Sequence, residues 1–278
     1  MIFVNKYKQE ELLGGGTFGI IFKVSEIATN NYYALKFITI SQKTDEEKKK
    51  IEEDCKNEYS VMKNIKNKYI IELKDYFFDN INKGYYIVME LCDEDLRKIL
   101  NKYKPKGLPL NIIKKIFIQL NEALKTMREN GLIHRDLKPE NILIKYSDTN
   151  KTDFHIKLID FGLTSYNINS IVQTQSKAAG TQIYMAPEVE SLKYNNKCDL
   201  WSLGIILYEL YTNKYIFDSD ESRKKGKIIK ETDNEIINEL IRKLININIE
   251  KRIEWEDYFN EEFLKFIKKE KNMMIMEN

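Results

Sequence analysis

Hydrophobic and polar residues set a strand-like rhythm through most of the first 90 residues. Tyr7 to Leu13 leads into a glycine cluster, Ile20 to Ser25 follows it, and Tyr32 to Ile40 is rich in aromatic and β-branched residues. Each predicts a strand. Leu73 to Phe78 and Tyr85 to Glu90 predict two more, joined by the turn-rich Asp79-Asn-Ile-Asn-Lys-Gly84. Between these strand groups one helix is predicted over about Asp45 to Asn64. Its apolar positions Ile51, Cys55, Met62 and Ile65 step by four, seven and three. The member missing from that stripe is Glu58, a carboxylate where the period asks for a hydrophobe. An inward-facing carboxylate requires a cation, because burying it alone costs several kcal/mol (~2–7 or more).

Beyond Met89-Glu-Leu-Cys92 the pattern turns helical. Ile113, Ile116, Phe117, Leu120, Leu124 and Met127 make one face, and Asn130-Gly131 supplies a left-handed stop. Ile142 to Ile144 and Ile156 to Ile159 read as short strands. Asn196 to Thr212 is apolar almost all round and predicts a buried helix. Glu235 to Ile245 and Trp255 to Ile267 predict two more helices. These elements give an α+β fold of two lobes: a small β-rich lobe with one helix over residues 1–90, a hinge at 91–93, and a larger, mainly helical lobe over 94–268. Residues 269–278 read as a short tail, and the methionines within Met273-Met-Ile-Met276 as frayed chain. A ligand is expected in a cleft between such lobes.

Length and composition narrow this without changing it. At 278 residues, 42 % hydrophobic and 32 % charged, the chain can bury a sizeable core, and 11 Gly with 4 Pro exclude collagen-like or Pro/Gly-rich disorder. Basic and acidic residues number 45 and 43, so no global field favours nucleic acid or an anionic membrane, and neither is expected as a partner. Cys55, Cys92 and Cys198 are far apart and lack C-x-x-C spacing, which argues against a disulfide framework and fits a reducing compartment. The longest apolar run, Leu200 to Tyr211, contains Glu209 and is too short to span a bilayer. Met1-Ile-Phe-Val-Asn-Lys lacks the layout of a signal peptide. A cytoplasmic location is expected, with the nucleus left open.

Three stretches carry chemistry. Gly14-Gly15-Gly16-Thr17-Phe18-Gly19 has the form G-x-G-x-x-G but leads into a strand rather than a helix, which disfavours a dinucleotide fingerprint, and it lacks the G-K-[ST] of a Walker loop. A glycine hairpin can lay backbone amides over phosphates, since no side chain blocks the approach. Lys36, on the third predicted strand, is the natural partner for Glu58. His134-Arg-Asp-Leu-Lys-Pro-Glu-Asn141 and Asp160-Phe-Gly162 are the most specific stretches. Their Asp136, Lys138, Asn141 and Asp160 supply what phosphoryl transfer needs: oxygen ligands for magnesium, a lysine for the moving phosphate and a carboxylate for the incoming hydroxyl.

On these motifs the sequence resembles a eukaryotic-type protein kinase of the Ser/Thr branch, from Gly14 to Arg252. The resemblance implies an ATP- and Mg²⁺-dependent enzyme with a bilobal kinase fold, acting on Ser/Thr hydroxyls of protein substrates. It implies that Leu13, Gly14, Gly15, Gly16, Thr17, Phe18 and Gly19 cover the nucleotide. Lys36, paired with Glu58, would bind the α/β-phosphates, Asp136 would be the catalytic aspartate, Lys138 would meet the γ-phosphate, and Asn141 and Asp160 would hold the metal. Ile21, Ala34 and Leu143 would sandwich the adenine, Glu90 and Cys92 would offer it backbone groups, and Met89 would guard the back pocket. Met62, Leu73, His134 and Phe161 match the stack that assembles in active kinases, with His134 packing and hydrogen-bonding rather than acting as a base. Gly180-Thr181 and Ala186-Pro187-Glu188 match the end of the activation segment, which places Thr181 in the catalytic set. Asp199 would anchor the catalytic loop, and Arg252 would pair with Glu188.

Lys138 together with Thr181 carries the Ser/Thr assignment. Arg135, preceding the catalytic aspartate, implies a loop ordered by phosphate, with Ser176 and Thr174 as candidate acceptors in place of Lys177. Asp95, Glu140 and Glu209 match positions at which related enzymes read basic residues upstream of the target, so a basic-residue preference is expected. A docking helix compressed into Ser219 to Lys230 is expected, with Arg223-Lys-Lys225 as a solvated face. A nucleotide-binding pseudokinase or scaffold is the rival reading, although every catalytic position is intact. The oligomeric state is left open.

Overall fold

The computed structural model describes residues 2–3, 6–16, 19–166, 182–191 and 194–268. In chain order the first elements are β1 (Ile2–Phe3), β2 (Tyr7–Gly16), β3 (Gly19–Glu26), β4 (Tyr32–Thr39), α1 (Asp45–Asn64), β5 (Leu73–Asp79) and β6 (Gly84–Glu90). There follow β7 (Glu94–Asp95), α2 (Leu96–Tyr103), α3 (Leu110–Glu129), β8 (Leu132–Ile133), β9 (Ile142–Tyr146), β10 (Phe154–Leu158) and β11 (Ser165–Tyr166). The last are α4 (Cys198–Thr212), α5 (Asp220–Lys224), α6 (Glu235–Leu244), α7 (Trp255–Asp257) and α8 (Phe263–Lys268). The chain divides into two compact units, one from residues 1–94 and 143–164, the other from 95–142 and 165–278.

The first unit is built on an antiparallel sheet of order β1-β2-β3-β4-β6-β5. Phe3, Tyr7, Val24, Leu35, Tyr86 and Val88 are buried together, and Phe22, Tyr33, Phe37 and Phe77 pack against them. Rings this large dominate the energetics of a small core. The aromatic alternation of β4 and β6 was legible as strand, whereas the pairing of β1 with β2 through Ile2↔Lys8 and Phe3↔Tyr7 was not. Helix α1 starts where a capping box forms: Thr44 Oγ1 accepts from the Glu47 amide at 3.2 Å and Glu47 Oε2 from the Thr44 amide at 2.8 Å. The stripe read from the sequence is buried at Cys55, Glu58 and Met62, with Val61 beside them.

Residues 143–164 belong with this first unit, which departs from a simple division after the hinge. The reason is backbone and charge pairing. The Leu158 amide donates to the Tyr69 carbonyl at 2.8 Å and the Ile71 amide to the Leu158 carbonyl at 3.0 Å. Lys145 and Lys157 both reach Glu90, at 2.7 and 2.6 Å. Asp160, which follows β10, is therefore carried by the same framework as Lys36.

The second unit is mainly helical. Helix α4 is buried from Cys198 to Leu210, as its all-round apolarity predicts, and begins two residues after Asn196. It ends at Asn213 in the left-handed conformation (φ 53°), whose side chain donates to Leu100 O and Lys106 O. Helix α2 was not foreseen. It starts because Asp95 caps it, accepting from the Lys98 amide at 2.8 Å. The Trp255–Ile267 helix is interrupted by a wide π turn at Tyr258–Glu262.

A larger correction concerns Arg223. It is 1 % exposed rather than solvated, because Asp220, Glu190 and the Met185 carbonyl surround its guanidinium. Among the described residues no helix is long and apolar enough to cross a membrane. The tail at 269–278 lies outside them.

Candidate active site

The glycine stretch is the tip of the β2/β3 hairpin, with Gly14 opposite Ile21, Gly15 opposite Ile20 and Gly16 opposite Gly19. Its glycines serve two different needs. Gly19 has φ +120°, and a Cβ there would lie 2.5 Å from the Phe37 carbonyl oxygen, so the backbone itself demands glycine. At Gly14 a Cβ would meet nothing within 4 Å, and at Gly15 nothing nearer than 3.9 Å. These two are not required by packing. They leave bare backbone where an anionic ligand can approach. Leu13 is exposed on β2, and Thr17 and Phe18 lie outside the described residues.

Lys36 sits on β4 opposite Ile21 of β3. Its ammonium donates to Glu58 Oε1 at 3.0 Å and Oε2 at 2.8 Å, and Asp160 Oδ1 lies 3.7 Å away. Burial opposes the lysine charge, but Glu58 first and Asp160 second outweigh it, holding the ammonium above its ordinary pKa. Burial likewise pushes the Glu58 carboxyl up, and Lys36 opposes that rise. Two short bonds to one ammonium favour the ion pair. The sequence clue of an inward carboxylate thus resolves into a lysine held charged. Asp160 itself has φ 68°, a left-handed conformation uncommon for a non-glycine residue.

The residues matched to adenine recognition lie in this same unit. Ala34 pairs across the sheet with Met89, and both are buried. Ile21 and Leu143 are half-buried. The Glu90 amide donates to Glu72 O at 3.0 Å, while the Glu90 carboxylate takes the Glu72 amide and the two lysines. Burial would raise this carboxyl, but Lys145 and Lys157 hold it below its ordinary pKa. Burial pushes the Cys92 and Cys55 thiols up to about 12 each. Burial thus disfavours the thiolate at both, and neither is an activated nucleophile. Met62 and Phe161 are buried and Leu73 is half-buried.

The second unit carries the other motif. Asp136 is buried, with Lys138 Nζ 2.7 Å from its Oδ2 and Asn141 Nδ2 donating to Oδ2 at 2.9 Å and to its main-chain carbonyl at 2.8 Å. His134 is fully buried and accepts the Asp136 amide on Nδ1 at 3.3 Å. The loop hangs from α4: Asp199 takes the His134 amide at 2.8 Å and the Arg135 amide at 2.9 Å. Arg252 Nη1 and Nη2 donate to Glu188 at 2.5 and 3.1 Å, and the guanidinium lies 5.1 Å from the Trp201 ring centre. Arg135 Nη1 donates to Tyr194 Oη at 2.6 Å. Thr181, Ser176 and Thr174 lie outside the described residues.

The acidic positions matched to basic-substrate reading are already engaged. Asp95 caps α2. Arg97 donates from Nε to Glu140 at 2.8 Å and from Nη1 and Nη2 to Glu209 at 2.6 and 3.2 Å. Tyr184 Oη also donates to Glu209 Oε2 at 2.5 Å, and Arg97 Nη2 touches Tyr184 Oη. Glu209 is 3 % exposed. Sequence reasoning missed Arg97 and Tyr184, although one signal existed. A carboxylate inside the apolar run Leu200 to Tyr211 requires a cation by the argument that paired Glu58 with Lys36.

Magnesium fits the donors present. Among the described residues no cluster of three His, Cys, Asp or Glu side chains could form a closed metal cage. In the second unit Asn141 spends Nδ2 on Asp136, which fixes its amide so that Oδ1 is the side-chain oxygen available for other work, and in the first unit Asp160 is a separate carboxylate. Hard oxygen donors in so small a number suit magnesium, which completes its shell with substrate phosphates and water.

The sequence matches the protein kinase domain family over residues 7–274. It is 31 % identical over 274 residues to "Serine/threonine-protein kinase atg1" of Dictyostelium discoideum, covering 94 % of this chain and 39 % of that one. It is 34 % identical over 218 residues to "Serine/threonine-protein kinase Nek1" of Mus musculus, covering 78 % of this chain and 17 % of the relative. To "Cyclin-dependent kinase 2" of Caenorhabditis elegans it is 34 % identical, covering 75 % of this chain and 54 % of the relative. The chain thus spans from under a fifth to about half of these relatives' lengths. With the glycine hairpin, the Lys36–Glu58 pair and the Asp136 loop in place, the chain belongs to the eukaryotic-type protein kinase family, in the Ser/Thr branch that works with ATP and Mg²⁺.

Proposed function

We propose that this chain is a catalytically active Ser/Thr protein kinase that moves the γ-phosphate of ATP to protein hydroxyls. The observation that carries the reading is Lys36, buried and charged, gripped by both oxygens of Glu58 and 3.7 Å from Asp160. Lys36 binds nucleotide phosphate oxygens, and the bare backbone of Gly14 and Gly15 lies over them. Asp136 accepts the proton of the incoming hydroxyl as its oxygen attacks phosphorus and the bond to the bridging oxygen breaks, with release of ADP. Lys138, already on Asp136, offsets charge on the moving group. Asn141 and Asp160 would hold magnesium, whose role when bound is to neutralise phosphate charge. Catalysis in this scheme is positioning plus charge stabilisation.

The finer assignments are part of the same proposal. Because Arg97 fills the Glu140 and Glu209 carboxylates and Asp95 is spent on a helix cap, we propose little preference for basic residues upstream of the target. A cytoplasmic location is supported by Cys55, Cys92 and Cys198, all free thiols. The test is transfer of labelled phosphate from Mg·ATP to a generic protein substrate, followed by phosphoamino-acid analysis. Phosphoserine or phosphothreonine is expected, with a loss of about 10²–10⁴-fold in Asp136→Asn. Absence of transfer by the wild type, or equal transfer by the variant, would overturn the reading.

A further inference from the structure

Asn57 stands immediately before Glu58 on α1, and its side chain reaches the segment that follows Asp160. Its Nδ2 donates to the Phe161 carbonyl at 3.3 Å and to the Thr164 carbonyl at 2.5 Å. Within that segment the Thr164 amide closes a turn onto Phe161 O at 3.0 Å. Asp160, at its start, is held at φ 68°. Such a conformation in a non-glycine residue is strained and persists only where its surroundings over-determine it. The Thr164 side chain does not supply the hold, since its hydroxyl is buried without a hydrogen-bond partner among the described residues.

We propose that Asn57 is the positioning residue for Asp160. One amide, with two protons, satisfies two carbonyls of the turn, and it does so from the helix whose next residue grips Lys36. The placement of α1 that delivers Glu58 to Lys36 is the placement that delivers Asn57 to Phe161 and Thr164. Asp160 is thereby kept 3.7 Å from the lysine. The inference deepens the kinase reading and rests on it only for what Asp160 does with magnesium. The backbone coupling stands on geometry alone.

The experiment uses Asn57→Asp, which keeps the size but turns both donors into an oxygen facing two carbonyl oxygens, and Asn57→Leu, which removes donors without adding charge. Asn57 is half-buried, so neither change opens a core cavity. The first readout is hydrogen exchange of the peptide spanning 159–164 in protein without nucleotide. Exchange about tenfold faster or more is expected in both variants, given two lost hydrogen bonds. The second is the thermal shift given by ADP with and without magnesium. The melting temperature of the protein alone should fall by a few degrees and the metal-free ADP shift should hold, while the extra shift on adding magnesium is lost. The rate of phosphate transfer should fall about tenfold to a hundredfold, with the KM for ATP changed much less.

A purely structural Asn57 would lower the melting temperature and leave the magnesium increment intact, and that result overturns the proposal. So does unchanged exchange at 159–164. A wild type that shows neither nucleotide shift nor transfer would instead sink the kinase reading, with the exchange measurement still deciding the coupling.

Discussion

Asp199 offers a perturbation whose size and sign can be worked out. It is buried, and among the described residues no cation is bonded to its oxygens, which take the His134 amide at 2.8 Å and the Arg135 amide at 2.9 Å. Burial raises its pKa to about 6 from an ordinary 3.8, against those two bonds and the Arg135 charge. A carboxyl raised in this way contributes stability that is complete below about pH 4, where both states are protonated. The contribution is lost as pH rises to about 6, because the unfolded chain ionises first. The shift of about two units corresponds to roughly 3 kcal/mol at pH 7. Asp199→Asn removes that cost but leaves one of the two amides facing an NH₂ group, a penalty of about 1–3 kcal/mol.

The variant should therefore match or exceed wild type at pH 7, by up to about 2 kcal/mol, and be weaker by about 1–3 kcal/mol at pH 4. Its transfer rate should nevertheless drop about tenfold or more, since the loop bearing Asp136 has lost a charge-assisted anchor. Urea unfolding of both proteins at pH 4, 5, 6 and 7, with kcat at pH 7, measures all of this. A stability difference that stays flat across that range would refute the reasoning.

Two further expectations concern the second unit. Arg97→Ala strands the buried Glu209 carboxylate, so stability should fall by about 3–5 kcal/mol, and Arg97→Ala with Glu209→Gln should recover most of it in urea unfolding. The single variant should also gain a preference for arginine upstream of the target in a positional peptide library. A wild type that already shows that preference at full strength would contradict the engaged carboxylates. Gly107→Ala places a Cβ 1.8 Å from the Tyr211 carbonyl oxygen, at the point where the Leu108 amide donates to Leu210 O at 2.7 Å. Loss of at least about 1–3 kcal/mol is expected by the same assay, and unchanged stability would mean that this approach is not close.

What the sequence disclosed follows the range of the forces involved. Helix α1 was legible because its apolar stripe is local, and α4 because burial all round shows in composition, whereas the capping box that starts α1 was not read. The assignments of Lys36 to Glu58, of Asp199 to the catalytic loop and of Arg252 to Glu188 came from motifs, and the structure places each pair in bonding distance. Arg97 and Asn57 were hidden because their partners are 43 to 112 and 104 to 107 residues away, and Arg223 because, beside the local Asp220, it is buried by Glu190 and the Met185 carbonyl 33 and 38 residues away. The grouping of 143–164 with the first unit was hidden for a related reason. It depends on the Leu158 bonds to Tyr69 and Ile71, and a strand of that length looks the same whichever unit it joins.

The buried carboxylates distinguish a reactive site from a structural one by the partner each has. Glu209 faces an arginine whose Nε, Nη1 and Nη2 each bond Glu140, Glu209 or Tyr184, a planar fork fixed by structural partners. Asp199 has backbone amides and, among the described residues, no cation bonded to its oxygens, which suits a fixed anchor and explains why its proton is held to about pH 6. Glu58 faces a lysine, a point charge with three donors. Glu58 takes two of them, and Asp160, at 3.7 Å, lies beyond hydrogen-bond distance of Nζ. This arrangement keeps a charged donor in reserve while preventing it from titrating or wandering. An anion brought to Lys36 meets an ammonium already desolvated and oriented, so the cost of arranging it was met on folding rather than on binding.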